Sequence, residues 1–108
     1  MAKNFDQEQL AQLSGGDKAF EKELLQMFLV DTEDSLGQLA AAIVAGDQAD
    51  VQELAHYIKG ASANVGAVAL SREAAELERL AKKGQLTKAS SHLRQLQTLH
   101  REIQRLAA

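Results

Sequence analysis

Cysteine and proline are both absent from this chain, and tryptophan with them. Without cysteine there is no disulfide, no thiolate to hold a metal and no thiol nucleophile. Without proline, only glycine interrupts a helix. Aromatic residues are scarce, three Phe and one Tyr among 108 positions. No apolar run approaches the ~20 residues that cross a bilayer. The opening "MAKNFDQEQL" has no apolar signal-peptide core, so the cytoplasm is the expected location and no membrane is expected as a partner. An excess of one charge is also lacking: the net charge of −3 implies no basic face, and nucleic acid is not expected as a partner.

What is present points to helix. Leu, Ala, Gln, Glu and Lys dominate, all strong helix formers, and 45% hydrophobic with 25% charged residues suits a globular chain. The length predicts a single domain over 1–108, able to bury roughly two thirds of the surface its unfolded chain exposes.

Glycine marks the joints. "LSGGDKA" (13–19), "VAGDQAD" (44–50), "NVGAV" (64–68) and "KKGQL" (82–86) divide the chain into five segments. The first, about 6–13, is two turns long. The second, about 17–45, opens on Asp17 as N-cap and carries Phe20, Leu24, Met27, Phe28, Thr32, Ser35, Leu36, Leu39 and Ile43 at core-facing spacing. Asp47 or Asp50 caps the third, whose stripe is Leu54, Ile58, Ala61 and Val65. The fourth, about 68–83, carries Leu70, Ala74, Leu77, Leu80 and Ala81. The fifth, about 86–107, carries Ala89, Leu93, Leu96, Leu99, Ile103 and Leu106. Four such stripes joined by short loops predict an all-α fold, an antiparallel four-helix bundle with a short additional N-terminal helix.

On the third helix His56 falls opposite the aliphatic stripe. Lys59, Gly60 and Ala63 share its outward face, with Gln52 and Asn64 on the flanks. An interior Gly costs a helix about 1 kcal/mol relative to Ala, and Gly60 with Ala63 clears space beside the imidazole. Ser62 turns toward the core, where a bond to the carbonyl four residues back is expected. Gly66 is expected to end the helix in a left-handed conformation. A lone surface histidine is ordinarily just a solvated side chain; here a cation and a cleared floor accompany it.

The stretch "HYIKGASANVGA" (56–67) resembles the signature of histidine-containing phosphotransfer (HPt) domains, His-x-x-Lys-Gly-x-Ser-x-x-x-Gly and a small residue. His56, Lys59, Gly60, Ser62, Gly66 and Ala67 match it, and Ala61 stands where Ser is frequent. "LSREAAELERLAKKGQL" (70–86) is similar to the family's next helix, with its Leu-Glu pair and Ala-Lys-x-Gly ending. The resemblance implies a phosphoryl relay between the aspartates of receiver domains, with His56 as acceptor, Lys59 as a point charge on the phosphoryl oxygens and Gly60 as steric access. It implies response-regulator receivers and a hybrid sensor kinase as partners. The chain is then a carrier and not a self-sufficient kinase or phosphatase. No cofactor is expected in the chain itself: no acidic cluster adjoins His56, and Mg²⁺ would belong to the receiver's aspartate pocket.

A docking partner would cover the outward face of the third helix, with Gln52, Ala63 and Asn64. It would also cover part of the second, where Leu25, Leu29 and Val30 lie off the core stripe near Asp31 and Glu33. His92 and His100 stand about 12 Å apart along the last helix, too far to share one metal ion, so no metal site is expected. The alternative is a non-catalytic helical module that docks receivers without accepting phosphate. A monomer is expected, and a free-standing protein or a domain excised from a larger kinase fit equally well.

Overall fold

The computed structural model describes residues 5–107; residues 1–4 and 108, the ends of the predicted domain span, lie outside it. Five helices follow one another: α1 (Gln7–Ser14), α2 (Lys18–Ala45), α3 (Gln48–Val65), α4 (Val68–Lys82) and α5 (Ala89–Ala107). Among the described residues there is no strand. None of these helices is long and apolar enough to cross a membrane.

Local chemistry sets the boundaries. Asp6, Asp17 and Asp47 each accept backbone N–H bonds from the first turn that follows, from Glu8 and Gln9, from Phe20 and from Asp50. Such caps are worth about 1 kcal/mol apiece. Asp17 was expected as a cap, and Asp47 takes the place left open between itself and Asp50.

The long helices form a ring in which α2 packs on α3, α3 on α4, α4 on α5 and α5 back on α2, while α1 lies across α2 and α3. At 1.5 Å per residue the 28 residues of α2 measure about 42 Å, which accounts for the 42 Å long axis of the molecule. The expected four-helix bundle with a short N-terminal helix is therefore what forms. Its core is aliphatic, with Leu39, Ile58, Leu70, Leu77, Leu96 and Ile103 among the fully buried side chains.

Each of the four stripes differs from expectation at one or more positions. On α2, Phe20 and Met27 are exposed, because they lie roughly 110–130° round the helix from the middle of the buried sector at 100° per residue. Leu25 and Leu29 are buried in their place. On α3 the buried line is Val51, Ala55, Ile58, Ser62 and Val65, with Leu54 and Ala61 half-buried at its edge. The small residues Ala55 and Ser62 let α4 approach closely, and the helix is turned toward it. Leu106 near the chain end is exposed, and Leu80 is half-buried.

The turn between α3 and α4 also holds α1. Gly66 has φ +83°, as expected for a left-handed cap, and its carbonyl accepts the Asp6 N–H at 2.6 Å. Phe5 and Leu10 are buried beside it as part of the core.

Candidate functional site

The rotation of α3 toward α4 determines what surrounds His56. The imidazole side chain is 68% exposed, and its Nδ1 donates to Glu78 Oε2 of α4 at 2.8 Å. Facing a carboxylate, Nδ1 carries the proton, and Nε2 is left as the lone-pair nitrogen. Nε2 has no hydrogen-bond partner among the described residues. Lys59 Nζ lies 2.7 Å from the other oxygen, Glu78 Oε1, and Lys82 Nζ lies 3.7 Å from Oε2. The Glu78 side chain itself is only 7% exposed. One buried carboxylate thus gathers a histidine and two lysines.

A buried carboxylate survives only when paired. Here the Lys59 hydrogen bond, followed by that from His56, holds the Glu78 carboxyl below its ordinary value of 4.5 against the opposing pull of burial. A carboxylate with a depressed folded pKa contributes stability that is whole above its unfolded pKa and lost as pH falls through the folded one. A Glu78→Gln variant should therefore be less stable than wild type at about pH 6, the difference closing by about pH 2. Urea denaturation at both pH values measures this.

The remaining expected residues divide. Gly60 and Ala63 are exposed beside His56, Asn64 is exposed on the flank, and Gln52 is half-buried. Gln52 lines a groove with Glu53, His56, Glu78 and Lys82. A Cβ built on Gly60 meets nothing within 4 Å, so no neighbour in this chain requires glycine there. Tyr57 donates its hydroxyl to Asp31 of α2, and that hydrogen bond, with the Asp31 charge, raises the phenol's pKa. The contact joins the His56 face to the outer surface of α2, where Met27 and Val30 are both 67% exposed.

Leu29, expected on the docking surface, is a correction. It is buried, and its carbonyl accepts a bond from His100 Nε2 of α5 at 2.9 Å. The longest helix buries two faces, one on α3 and one on α5, and Leu29 and Leu25 belong to them. Met27 takes the exposed place beside Val30.

Comparison with known proteins bears on the whole arrangement. The family model for the Hpt domain matches residues 23–108, most of the chain. The chain belongs to the Hpt domain family.

Among similar proteins is the phosphorelay intermediate protein rdeA of Dictyostelium discoideum, 32% identical over 101 residues. That match takes in 94% of this chain but spans about 40% of the length of rdeA. The crystal structure of histidine-containing phosphotransfer protein B (HptB) from Pseudomonas aeruginosa superposes with a TM-score of 0.92 at 34% identity, covering 99% of this chain and 93% of that one. The HPT domain of an Hpt sensor hybrid histidine kinase from Shewanella shares the fold, with a TM-score of 0.76 at 17% identity over 96% and 90% of the two chains.

In this Hpt domain the residue that sequence reasoning passed over is Glu78. The Leu-Glu pair at 77–78 is visible in the sequence, but the acid's role is not. A signal existed: Glu78 stands four residues after Ala74 and eight after Leu70, on the buried line of α4. An acid on a buried stripe needs a cation facing it, and Lys59 across the helix pair supplies the shortest contact, with Lys82 on its own helix farther off.

Ser62 points into the core as expected, but its Oγ finds no hydrogen-bond partner among the described residues, so the expected bond to a carbonyl is not made. The two histidines of α5 serve separate ties. His92 Nδ1 pairs with Glu73 of α4, and His100 holds α2.

Proposed function

We propose that this Hpt domain relays a phosphoryl group between receiver-domain aspartates through Nε2 of His56. Histidine phosphotransfer within a phosphorelay is the role that membership of the family carries. The observation that supports His56 is the state of its ring: Nδ1 is occupied by Glu78 while the side chain is 68% exposed and Nε2 has no partner among the described residues. A neutral imidazole nitrogen is a competent nucleophile at neutral pH. Phosphoryl transfer asks mainly for positioning and charge neutralisation. Lys59, one turn away, supplies a mobile point charge for the phosphoryl oxygens.

The partners in this reading are response-regulator receivers and a hybrid sensor kinase, met by a monomer in the cytoplasm. Magnesium in this reading belongs to the receiver. The chain acts as a carrier and not as a kinase or phosphatase in its own right. The docking surface runs from Gln52, Gly60, Ala63 and Asn64 of α3, across Tyr57, to Met27 and Val30 of α2. Its apolar centre with acidic neighbours Asp31 and Asp34 is the kind of exposed patch that marks a partner site.

Incubation with a phosphorylated receiver tests the proposal. Acid-labile, alkali-stable label on His56 supports it. Binding without label would favour a module that docks receivers without accepting phosphate.

Gly60 gives a second test. Replacing it with Gln adds helix propensity and meets no neighbour, so stability should rise by about 0.5 kcal/mol. The longer side chain occupies the floor on which a receiver approaches, so transfer should slow at least tenfold, on the order of the cost of a small misplacement of reacting groups. Unchanged transfer kinetics would refute this account of the glycine.

A further inference from the structure

When Nε2 takes a phosphoryl group, the ring becomes a cation unless it sheds the proton on Nδ1. In this site that proton faces a carboxylate 2.8 Å away, on a side chain almost wholly shielded from water. We propose that Glu78 retains the Nδ1 proton throughout the transfer, so that phosphorylated His56 remains an imidazolium poised to give the group up, and the site transmits phosphate rather than storing it. The inference rests on the reading of His56 as phosphoryl acceptor.

The chemistry balances without a proton leaving the site. In loading, the Nε2 lone pair forms the N–P bond. The P–O bond to the receiver's aspartate breaks, its electron pair leaving with the carboxylate, and the ring becomes cationic with Nδ1–H still donated to Glu78. In unloading, a receiver carboxylate oxygen attacks phosphorus and the N–P pair returns to Nε2. The leaving group is then neutral imidazole, a far better one than the imidazolate that an unprotonated ring would have to become. Both directions use the same proton in the same place.

The neighbouring charges are consistent with that role. Glu78 is ionised at neutral pH, since Lys59 and His56 hold its pKa down. Lys59 is bound to Oε1 and His56 to Oε2, so the two do not compete for one oxygen. If Lys59 turns to the phosphoryl oxygens, Lys82 at 3.7 Å still pairs the carboxylate. Glu53 lines the same groove on the α3 side. On the α2 side the nearby acid is Asp31, engaged by Tyr57.

The test substitution is Glu78→Gln, which keeps the shape of the side chain and removes its charge. Wild type and variant are loaded from a phosphorylated receiver and separated from it. Loss of the histidine label is then followed from pH 6 to pH 9. With no carboxylate facing it, the Nδ1–H of the phosphorylated ring has nothing to hold it against loss to solvent as pH rises. The variant's label should therefore outlive that of wild type by at least about tenfold at pH 8, its loss slowing as pH rises. The wild-type rate should stay nearly flat across the range.

Equal lifetimes with equal pH slopes would overturn the proposal. A readout independent of the variant's folding comes from nitrogen-15 NMR of the phosphorylated wild type. Nδ1 still protonated at pH 8 supports the proposal, and Nδ1 deprotonated there overturns it. Wild type that takes no label at all would overturn the phosphotransfer reading itself, a result distinct from label that merely decays alike in both proteins.

Discussion

A His56→Gln variant exposed to a phosphorylated receiver is expected to carry no acid-labile label above background, while melting within about 0.5 kcal/mol of wild type, as exposed substitutions usually do. The loss is total because an amide nitrogen has no lone pair free for attack on phosphorus. The fold is spared because the side chain is 68% exposed and packs against no core residue named above. Glu78 is not orphaned either. Lys59 remains 2.7 Å from it and Lys82 3.7 Å, and a glutamine amide can donate where Nδ1–H did. Label still appearing at wild-type level would move the acceptor elsewhere, and His92 and His100 are poor candidates. His92 is mostly covered and paired with Glu73, and His100 is buried against Leu29.

The second large effect is on stability. Gly66→Ala should cost about 2–4 kcal/mol and lower the melting temperature by roughly 8–32 °C, using the 4–8 °C per kcal/mol appropriate to a domain of this size. Two costs combine. A left-handed backbone conformation costs a residue with a Cβ about 1–2 kcal/mol, and Gly66 sits at φ +83°. The new Cβ would also penetrate the Asp6 carbonyl oxygen and press on Gln9 Cβ at 3.1 Å. Because the obstacle at Asp6 is backbone, α1 must lift, loosening the buried Phe5 and Leu10. Thermal and urea denaturation measure the cost, and a change under 0.5 kcal/mol would contradict this account. Labelling of His56 well below the melting temperature should persist, since ten residues of helix, about 15 Å, separate the two positions. Gly60 and Gly66 thus lie six residues apart with opposite expected signs, one glycine required by the fold and the other dispensable to it.

Much of this was legible in the sequence because it depends on local chemistry. Asp17 and Asp47 cap helices through bonds to residues three positions away, and Gly66 terminates α3 through its own φ. The outward placement of His56, Gly60 and Ala63 follows from helix periodicity alone. Local chemistry does not decide which neighbour a helix packs against. Phe20 and Met27 fit a three-and-four spacing, yet the buried sector of α2 is centred on Leu25, Phe28, Leu29, Thr32, Leu36 and Leu39, because α3 and α5 grip it from two sides. Leu29 lies off the stripe that spacing predicts, and α5 covers it.

The role of Glu78 is not legible in the sequence for the same reason. Its meaning lies on another helix, and only the turning of α3 toward α4 brings Lys59 and His56 within reach of it. Periodicity gives the face of a helix to within a sector; the remaining tens of degrees are set by the small residues, Ala55 and Ser62 here, that decide how closely two helices approach.

The polar cluster is built entirely on α3 and α4, a helical hairpin closed by the turn at Gly66 and Ala67. His56 and Glu78 are 22 positions apart in the chain, and loop-closure entropy grows only as about (3/2)RT ln n. Assembly of the reactive groups therefore draws on short-range contacts, the kind that form early and fast in helical proteins. The outer surface of α2, with Met27 and Val30, belongs to a different stretch of chain. On the proposed docking surface, substitution at Met27 or Val30 is expected to alter receiver binding while leaving the proton, the carboxylate and the lysines of the hairpin untouched, so this part of partner choice is separable from the chemistry.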